Sequence, residues 1–315
     1  MKKISYLLLS IALCCCSLSS MAQKKLTHRF ATRAEAQMLI TDIDNFTNKL
    51  NSLDIDLRLN KENGRKSELL RLAMNETMNW SEADKKKVSD AFKSLQTKIS
   101  KQKLNIQYPM DIVFVKTSMK EEFNVATYTR KNWIALGDSI LKVSNQEQME
   151  YIIAHEFFHL ITRVNKEFKR KAYSIIGFNV LDREIFFPVD IIEKKISNPD
   201  IEAYDSYAEF TINGTPQKCS MMIYSNNNKT TGTLDEHLNV GLIPLNESLL
   251  PIQVNGKTTI YNIEQAEDFY NKIGKNTKYT INPEEIMADN FALLLTQKKN
   301  LPNPEIIEKL ATILK

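Results

Sequence analysis

Residues 155–159 read HEFFH and stand inside a largely apolar stretch of the chain. If this stretch is helical, His155 and His159 lie about 40° apart around the axis and about 6 Å apart along it. Both imidazoles then project from one face, where they can bind a single metal ion. Glu156 stands beside the first histidine, placed to accept a proton. The five residues therefore predict a zinc site that activates water.

The alternative is that both histidines are ordinary core residues, but the flanking sequence favours the metal site. Ser144 and Glu147 have the spacing of a capping box that starts a helix. The apolar residues that follow recur at helical spacing up to about Lys166; they are Met149, Ile152, Ile153, Phe157, Leu160, Ile161 and Val164. The pattern predicts that the motif lies in the middle of a buried helix.

A catalytic zinc needs a third protein ligand and an open position for water. The segment 282–292 reads NPEEIMADNFA, in which Asn282 is a good N-cap and Pro283 suits the first helical position. Glu285 and Asp289 are spaced by one turn, so one carboxylate can bind the metal while the other holds the outer nitrogen of a ligand imidazole.

Glu284 competes with Glu285 for the role of ligand. It points about 100° away around the helix, off the face that Glu285 shares with Asp289. We therefore expect Glu284 to take no part in the site. The alternative is that both glutamates only complement the positive end of the helix dipole.

With these two helices the chain resembles the gluzincin metallopeptidases, the thermolysin and neprilysin group. The sequence EIMADN at 285–290 is similar to the E-x-I-A-D-N element of neprilysin-like enzymes. The separation of 126 positions between the second histidine and this element is longer than the usual spacer. The resemblance covers only the two helices and implies one Zn²⁺ per chain, a peptide or protein substrate, zinc ligands His155, His159 and Glu285, a general base Glu156, and Asp289 as the residue that orients His155.

The N-terminal segment 1–22 has the composition of a secretory signal peptide. Lys2 and Lys3 precede an apolar run too short for the roughly 20 residues of a membrane span, and Ser20-Met21-Ala22 suits cleavage. The segment predicts an exported protein without a stable membrane span. Three cysteines inside it leave a lipid anchor as the less favoured alternative.

The charge and composition of the chain indicate which classes of partner it can bind. Removing segment 1–22 takes away two lysines and no acidic residue, so the formal charge of the mature chain is about +2, against +4 for the whole sequence. Such a balance gives no electrostatic case for binding nucleic acid. With 43% hydrophobic and 25% charged residues, the remaining chain is typical of a globular protein.

The fold class expected is α+β, in three parts. Residues 23–105 have the pattern of an N-terminal helical region that packs on the core or covers its cleft. Residues 106–315 form a zincin-like catalytic domain, with a small mixed sheet and the two metal-binding helices. Residues from about 168 to 281 are a β-rich insert between those helices.

Three short strands are expected before the HEFFH helix, at Met110–Val115, Val125–Thr129 and Trp133–Leu136. In the zincin layout, by resemblance, an edge strand pairs with the peptide substrate. Residues 132–137 are the candidate for that edge, and an ordinary sheet strand is the alternative.

Within the insert, alternation predicts strands at Tyr204–Ile212 and Lys218–Tyr224, and a helix is expected over about Ile263–Ile273. Four residues here could stabilise the oxyanion of the reaction, although a structural role is the alternative for each; they are His237, Tyr261, Tyr270 and Tyr279. Tyr279 is preferred because it enters the metal-binding helix.

These patterns predict a secreted zinc metallopeptidase in which Glu156 acts as general base and Tyr279 assists. A second hypothesis is an exported zinc-binding interaction protein without proteolytic activity. A third is an exported helical binding protein without metal.

Overall fold

The computed structural model describes residues 27–107, 109 and 111–315, so the predicted signal peptide at 1–22 lies outside the described part of the chain. Helices and small sheets alternate along that part. This arrangement confirms the predicted α+β class. No helix among the described residues has both the length and the apolar character needed to cross a membrane.

The N-terminal region is mainly helical but opens with a strand that the sequence pattern did not indicate. Strand β1 comprises His28–Phe30. The helices that follow are α1 (Arg33–Ile40), α2 (Asn45–Lys49), α3 (Ser52–Leu59), α4 (Lys66–Glu76) and α5 (Glu82–Gln102). The apolar stripe of α5 is buried in the main core, so this region packs on the rest of the chain.

The first sheet has four strands in the order β1-β2-β4-β3. Its other strands are β2 (Ile112–Thr117), β3 (Thr127–Arg130) and β4 (Trp133–Gly137). Strands β1, β2 and β4 are parallel, whereas β3 is antiparallel to β4 and forms an edge. The prediction that 132–137 is the edge is therefore wrong. Strand β4 pairs with β2 on one side and with β3 on the other. The pairing of strands distant in sequence cannot be predicted from the local alternation of apolar and polar residues.

Three helices follow the sheet, and the second carries HEFFH. They are α6 (Asp138–Val143), α7 (Gln146–Val164) and α8 (Lys166–Ile175). The predicted capping box at Ser144 and Glu147 is one residue too early. Asn145 is the N-cap of α7 and exchanges hydrogen bonds with Gln148, because Ser144 still belongs to the end of α6.

The insert is rich in strands, as predicted. Its elements are β5 (Phe178–Val180), α9 (Val189–Ile192), β6 (Ser206–Ile212), β7 (Thr215–Tyr224), α10 (Leu234–His237), β8 (Asn239–Pro244), β9 (Gln253–Val254), β10 (Lys257–Thr258), β11 (Tyr261–Asn262) and α11 (Phe269–Ile273). Five of the strands form an antiparallel sheet in the order β11-β8-β7-β6-β5. Asn213 and Gly214 join β6 to β7 with φ of 50° and 72°, the left-handed conformation that a tight hairpin needs.

The expected helix over 263–273 is present only at its ends, as a 3₁₀ turn at Ile263–Gln265 and as α11. Between them, Ala266 bridges to Ile212, and the Glu267 N–H donates to the Thr211 carbonyl at 3.0 Å. These contacts with β6 divert the backbone hydrogen bonds that a continuous helix would use.

The last two helices are α12 (Pro283–Thr296) and α13 (Pro304–Ile313). Asn282 caps α12 and Pro283 occupies its first turn, as predicted. Helix α12 lies directly against α7 in the main core, where the rings of Phe158 and Phe291 are 5.7 Å apart. This contact fixes the position of the two metal-site segments relative to each other.

A buried carboxyl group near the sheet gives a prediction about stability. Glu121 is 2% exposed, in the 3₁₀ turn Lys120–Glu122 that follows β2. Burial raises the pKa of Glu121 to about 7, from the ordinary value of 4.5. The folded chain therefore holds a proton that the unfolded chain releases near pH 4.5. Protonation of Glu121 therefore favours the folded chain. Its contribution to the free energy of unfolding is complete below pH 4.5 and is lost as the pH rises to about 7.

We expect Glu121→Gln to match the wild type near pH 4 and to exceed its free energy of unfolding above pH 7 by up to about 3 kcal/mol. Denaturant unfolding at both pH values measures the difference. Exposed Glu62 provides the control substitution, Glu62→Gln. Parallel pH profiles for Glu121→Gln and the wild type would contradict the assignment.

Candidate metal centre

Helices α7 and α12 bring three side-chain atoms to one point. His155 Nε2 lies 3.1 Å from Glu285 Oε2, and His159 Nε2 lies 3.7 Å from the same oxygen. All three atoms lie within 4.8 Å of one another. The side chains of His159 and Glu285 are buried, whereas that of His155 is 13% exposed. These are the three residues that the sequence analysis proposes as ligands.

The outer nitrogens of both imidazoles are held by carboxylates of α12. His155 Nδ1 lies 2.8 Å from Asp289 Oδ1, in the pairing that the family resemblance implies. His159 Nδ1 lies 3.0 Å from Glu284 Oε1. If each Nδ1–H donates to its carboxylate, the Nε2 lone pairs are directed toward Glu285, as metal binding requires.

The expectation that Glu284 takes no part in the site is wrong. Because α7 presents its two histidines side by side, positions 284 and 289 of α12 meet the outer edges of different rings. Glu284 also accepts hydrogen bonds from Thr162 Oγ1 at 2.6 Å and from the Tyr173 hydroxyl. Burial alone would raise the pKa of Glu284, but the hydrogen bond and charge of His159 hold it below its usual value.

We expect Glu284→Ala to lower zinc affinity by about 10 to 100-fold, because His159 loses the group that orients its ring. A competition titration against a chromogenic zinc chelator measures the affinity. Glu308 of α13 is exposed and provides the matched control, Glu308→Ala. Equal affinities for the two variants would show that His159 is oriented without Glu284.

The donor set fits a zinc ion, which proteins bind through imidazole nitrogens and carboxylate oxygens. Ligand atoms on a tetrahedral zinc with bonds of about 2.0–2.1 Å lie roughly 3.3 Å apart. The distances of 3.1 and 3.7 Å are close to that value. His159 Nε2 is buried and has no hydrogen-bond partner among the described residues, which is costly for a polar atom unless something coordinates it.

Glu156 is buried at the same centre and is held by the edge strand. Its Oε1 accepts a hydrogen bond from Thr127 Oγ1, and its Oε2 accepts one from Thr129 Oγ1 at 2.6 Å. Both threonines belong to β3, where they share a face because strand side chains alternate. The strand thus fixes the orientation of the carboxylate that the sequence analysis assigns as general base.

A second carboxylate, Asp200, lies on the same side as Glu156 and is absent from the sequence prediction. It belongs to residues 197–201 of the insert, a segment called the strap below. Asp200 Oδ1 accepts the backbone N–H of Thr129 at 2.6 Å and lies 4.0 Å from His159 Nε2. Burial and the nearby Glu156 charge raise the pKa of Asp200. The strap has no regular pattern, so only the tertiary structure reveals this residue.

Of the four residues proposed for oxyanion stabilisation, Tyr279 is the one seen in contact with a proposed ligand, His155. Its ring centroid is 6.4 Å from that of His155, and the residue is 43% exposed. His237 is buried within the insert, with its ring nitrogens 2.9 Å from Ser225 Oγ and 3.0 Å from the Thr231 carbonyl. These contacts favour a structural role for His237. Tyr261 lies in β11, and Tyr270 is exposed on α11.

No protein-family model, curated protein or solved structure matches this chain. The functional argument therefore depends on the side chains of the centre. Their arrangement offers three converging ligand atoms, two carboxylates that orient the ligand rings, and two further carboxylates on one side.

Proposed function

We propose that the chain is a zinc metallopeptidase of the gluzincin type, with a zincin-like catalytic domain. The observation that carries the proposal is the convergence of His155 Nε2, His159 Nε2 and Glu285 Oε2, with both outer imidazole nitrogens held by carboxylates. A small sheet with an antiparallel edge strand beside the HEFFH helix supports the zincin-like layout. Each zinc ligand proposed is already oriented by the protein.

In this proposal His155, His159 and Glu285 hold one zinc ion. When bound, zinc supplies a Lewis acid that lowers the pKa of a water molecule to about 7 and polarises the scissile carbonyl. Glu156 takes the proton from that water and delivers it to the leaving amine, as general base and then general acid. The hydroxyls of Thr127 and Thr129 keep its carboxylate in position for both transfers.

Strand β3 supplies the backbone groups for the substrate in this proposal. It is an edge strand, and its threonines already contact Glu156. A peptide that adds to a sheet edge gains affinity through main-chain hydrogen bonds. Tyr279 is the proposed oxyanion partner, on the strength of its position beside His155.

Export is proposed from the sequence of segment 1–22. Two lysines, a short apolar run and a small-residue cleavage site have the order of a secretory signal. Amino-terminal sequencing of the protein recovered from the cell envelope or the medium tests this part. A mature chain that starts at Gln23 supports it, and an intact Met1 would contradict it.

A second candidate function is zinc binding without proteolysis. Asp200 of the strap accepts the Thr129 backbone N–H, and both Glu156 oxygens already accept hydrogen bonds. These contacts favour a closed site that holds metal as a structural element. Such a protein would bind zinc as tightly and hydrolyse nothing.

Digestion of a mixed peptide library separates the two functions. The zinc-loaded chain is incubated with the library, with and without a chelator, and the products are read by mass spectrometry. Chelator-sensitive cleavage supports the peptidase. Bound zinc without any cleavage would overturn the peptidase and favour the second candidate, and failure to bind zinc would exclude both.

A further inference from the structure

One end of the proposed substrate-binding edge is closed. In an antiparallel strand alternate residues direct their backbone N–H and C=O groups to the same side. The backbone groups of Thr127 and Thr129 therefore point away from β4, toward the open edge. The N–H of Thr129 donates to Asp200 Oδ1 at 2.6 Å, and its carbonyl accepts from Arg163 at 3.0 Å. Both outward backbone groups of Thr129 are therefore used. A peptide along β3 cannot continue past this residue.

The strap that closes this end is anchored at several points. Arg163 Nη2 also donates to the carbonyls of Pro199 at 3.0 Å and Asp200 at 3.3 Å. Asn198 Nδ2 donates to Glu285 Oε1 at 2.7 Å, and its own Oδ1 accepts the Asp200 N–H at 2.9 Å. The strap is thus hydrogen-bonded to α7 and to the proposed metal ligand Glu285, and these contacts fix its position beside the centre.

A small cavity lies beside Thr127, between β3 and the strap. It has a volume of about 80 Å³ and is lined by Asp200, Thr127 and Tyr279, together with apolar side chains that include Ile196, Leu234 and Leu238. A space of that size can hold several water molecules or one aliphatic side chain. The cavity can therefore hold the side chain of a residue that binds beside Thr127.

The charges around the cavity favour a cationic group at the closed end. Arg58 is the one lysine or arginine among the described lining residues. Its guanidinium is already bound to Glu122 at 2.7 Å and to Asp54 at 3.3 Å. No free cation in this lining can receive a carboxylate. The Asp200 carboxylate lies 4.0 Å from His159 Nε2, the nitrogen proposed to bind zinc. An ammonium group complements this end.

We propose that the centre acts on the free amino terminus of peptides, with Asp200 as the residue that recognises the α-ammonium group; this rests on the proposed peptidase function. An amino terminus at Thr129 places the peptide antiparallel to β3, with its chain leaving past Thr127. Water adds to the first carbonyl and the first peptide bond breaks. The terminal residue leaves as a free amino acid, and the new amine of the shortened peptide takes the proton.

The test compares a leucine-initiated pentapeptide with its N-acetylated form, using the zinc-loaded chain. Acetylation removes the charge, so we expect kcat/KM to fall by at least about 10²-fold. Binding gives a second readout, with leucine hydroxamate and N-acetyl-leucine hydroxamate compared by calorimetry. We expect a loss of affinity of the same order.

Asp200→Asn keeps an acceptor for the Thr129 N–H and removes the charge, so the two pentapeptides should differ by less than about 10-fold in this variant. Asp182→Asn, at an exposed aspartate, is the matched control and should keep the full preference. Equal cleavage of free and acetylated peptides by the wild type would overturn the proposal whether or not the variant folds. It would leave the peptidase function intact. Absence of any hydrolysis despite bound zinc would overturn both.

Discussion

Glu156→Gln is expected to lower peptide hydrolysis by at least about 10²-fold and to leave zinc binding intact. Glutamine keeps the size of the side chain. Its amide oxygen can accept a hydrogen bond from one of the two threonine hydroxyls that contact Glu156, Thr127 and Thr129, and its NH2 group can donate to the other. It cannot take the proton of the attacking water. Initial rates on a cleaved library peptide and zinc content by elemental analysis give the two quantities.

The control for this variant lies on the same helix. Glu147 stands in the first turn of α7 with its side chain 77% exposed, so Glu147→Gln should change neither rate nor zinc content. Undiminished hydrolysis by Glu156→Gln would remove Glu156 from the mechanism. Loss of zinc from this variant would make Glu156 a ligand, which contradicts the proposed ligand set.

Glu285→Ala is expected to abolish tight zinc binding. Its Oε2 is the atom that both Nε2 nitrogens approach, and no water can reproduce its charge in a buried position. Asp289→Ala removes only the partner of His155 Nδ1, so affinity should fall by about 10 to 100-fold. Metal-stripped proteins titrated with zinc by calorimetry give both affinities.

The order of these effects tests the register of α12. Glu285→Ala should be far worse than Asp289→Ala, and the exposed control Glu308→Ala should match the wild type. A variant Glu285→Ala that retained tight binding would show that another carboxylate is the third ligand. Glu156 and Asp200 are the nearest candidates, because their carboxylate oxygens and a ring nitrogen of His159 lie within 4.8 Å of one another.

The parts of the molecule that were predicted correctly are those specified by local sequence. Helix α12 has an asparagine cap, a proline in its first turn and apolar residues that include Ile286, Met287 and Phe291. Within it, the spacing of Glu285 and Asp289 sets their common face by helical geometry alone. For that reason the sequence predicts that Asp289 holds the outer nitrogen of a ligand imidazole, and the family resemblance implies that this ring is His155.

The errors arise where long-range contacts decide the structure. The role of Glu284 depends on a tertiary contact, because two side-by-side imidazoles take partners from two faces of α12. Strand β4 is interior because it pairs with β2, which local alternation does not specify. Asp200 reaches the centre through the fold of the insert, 41 positions beyond His159 in the sequence.

The zinc content of the mature chain tests the central claim most directly. Protein stripped with a chelator, dialysed and titrated with zinc should bind about one ion per chain, because three protein ligands and one water complete a catalytic zinc site. Hydrolysis of a library peptide should rise in proportion and reach its plateau at the same ratio. A folded chain that binds no zinc at this step would contradict the metal centre and the function proposed from it.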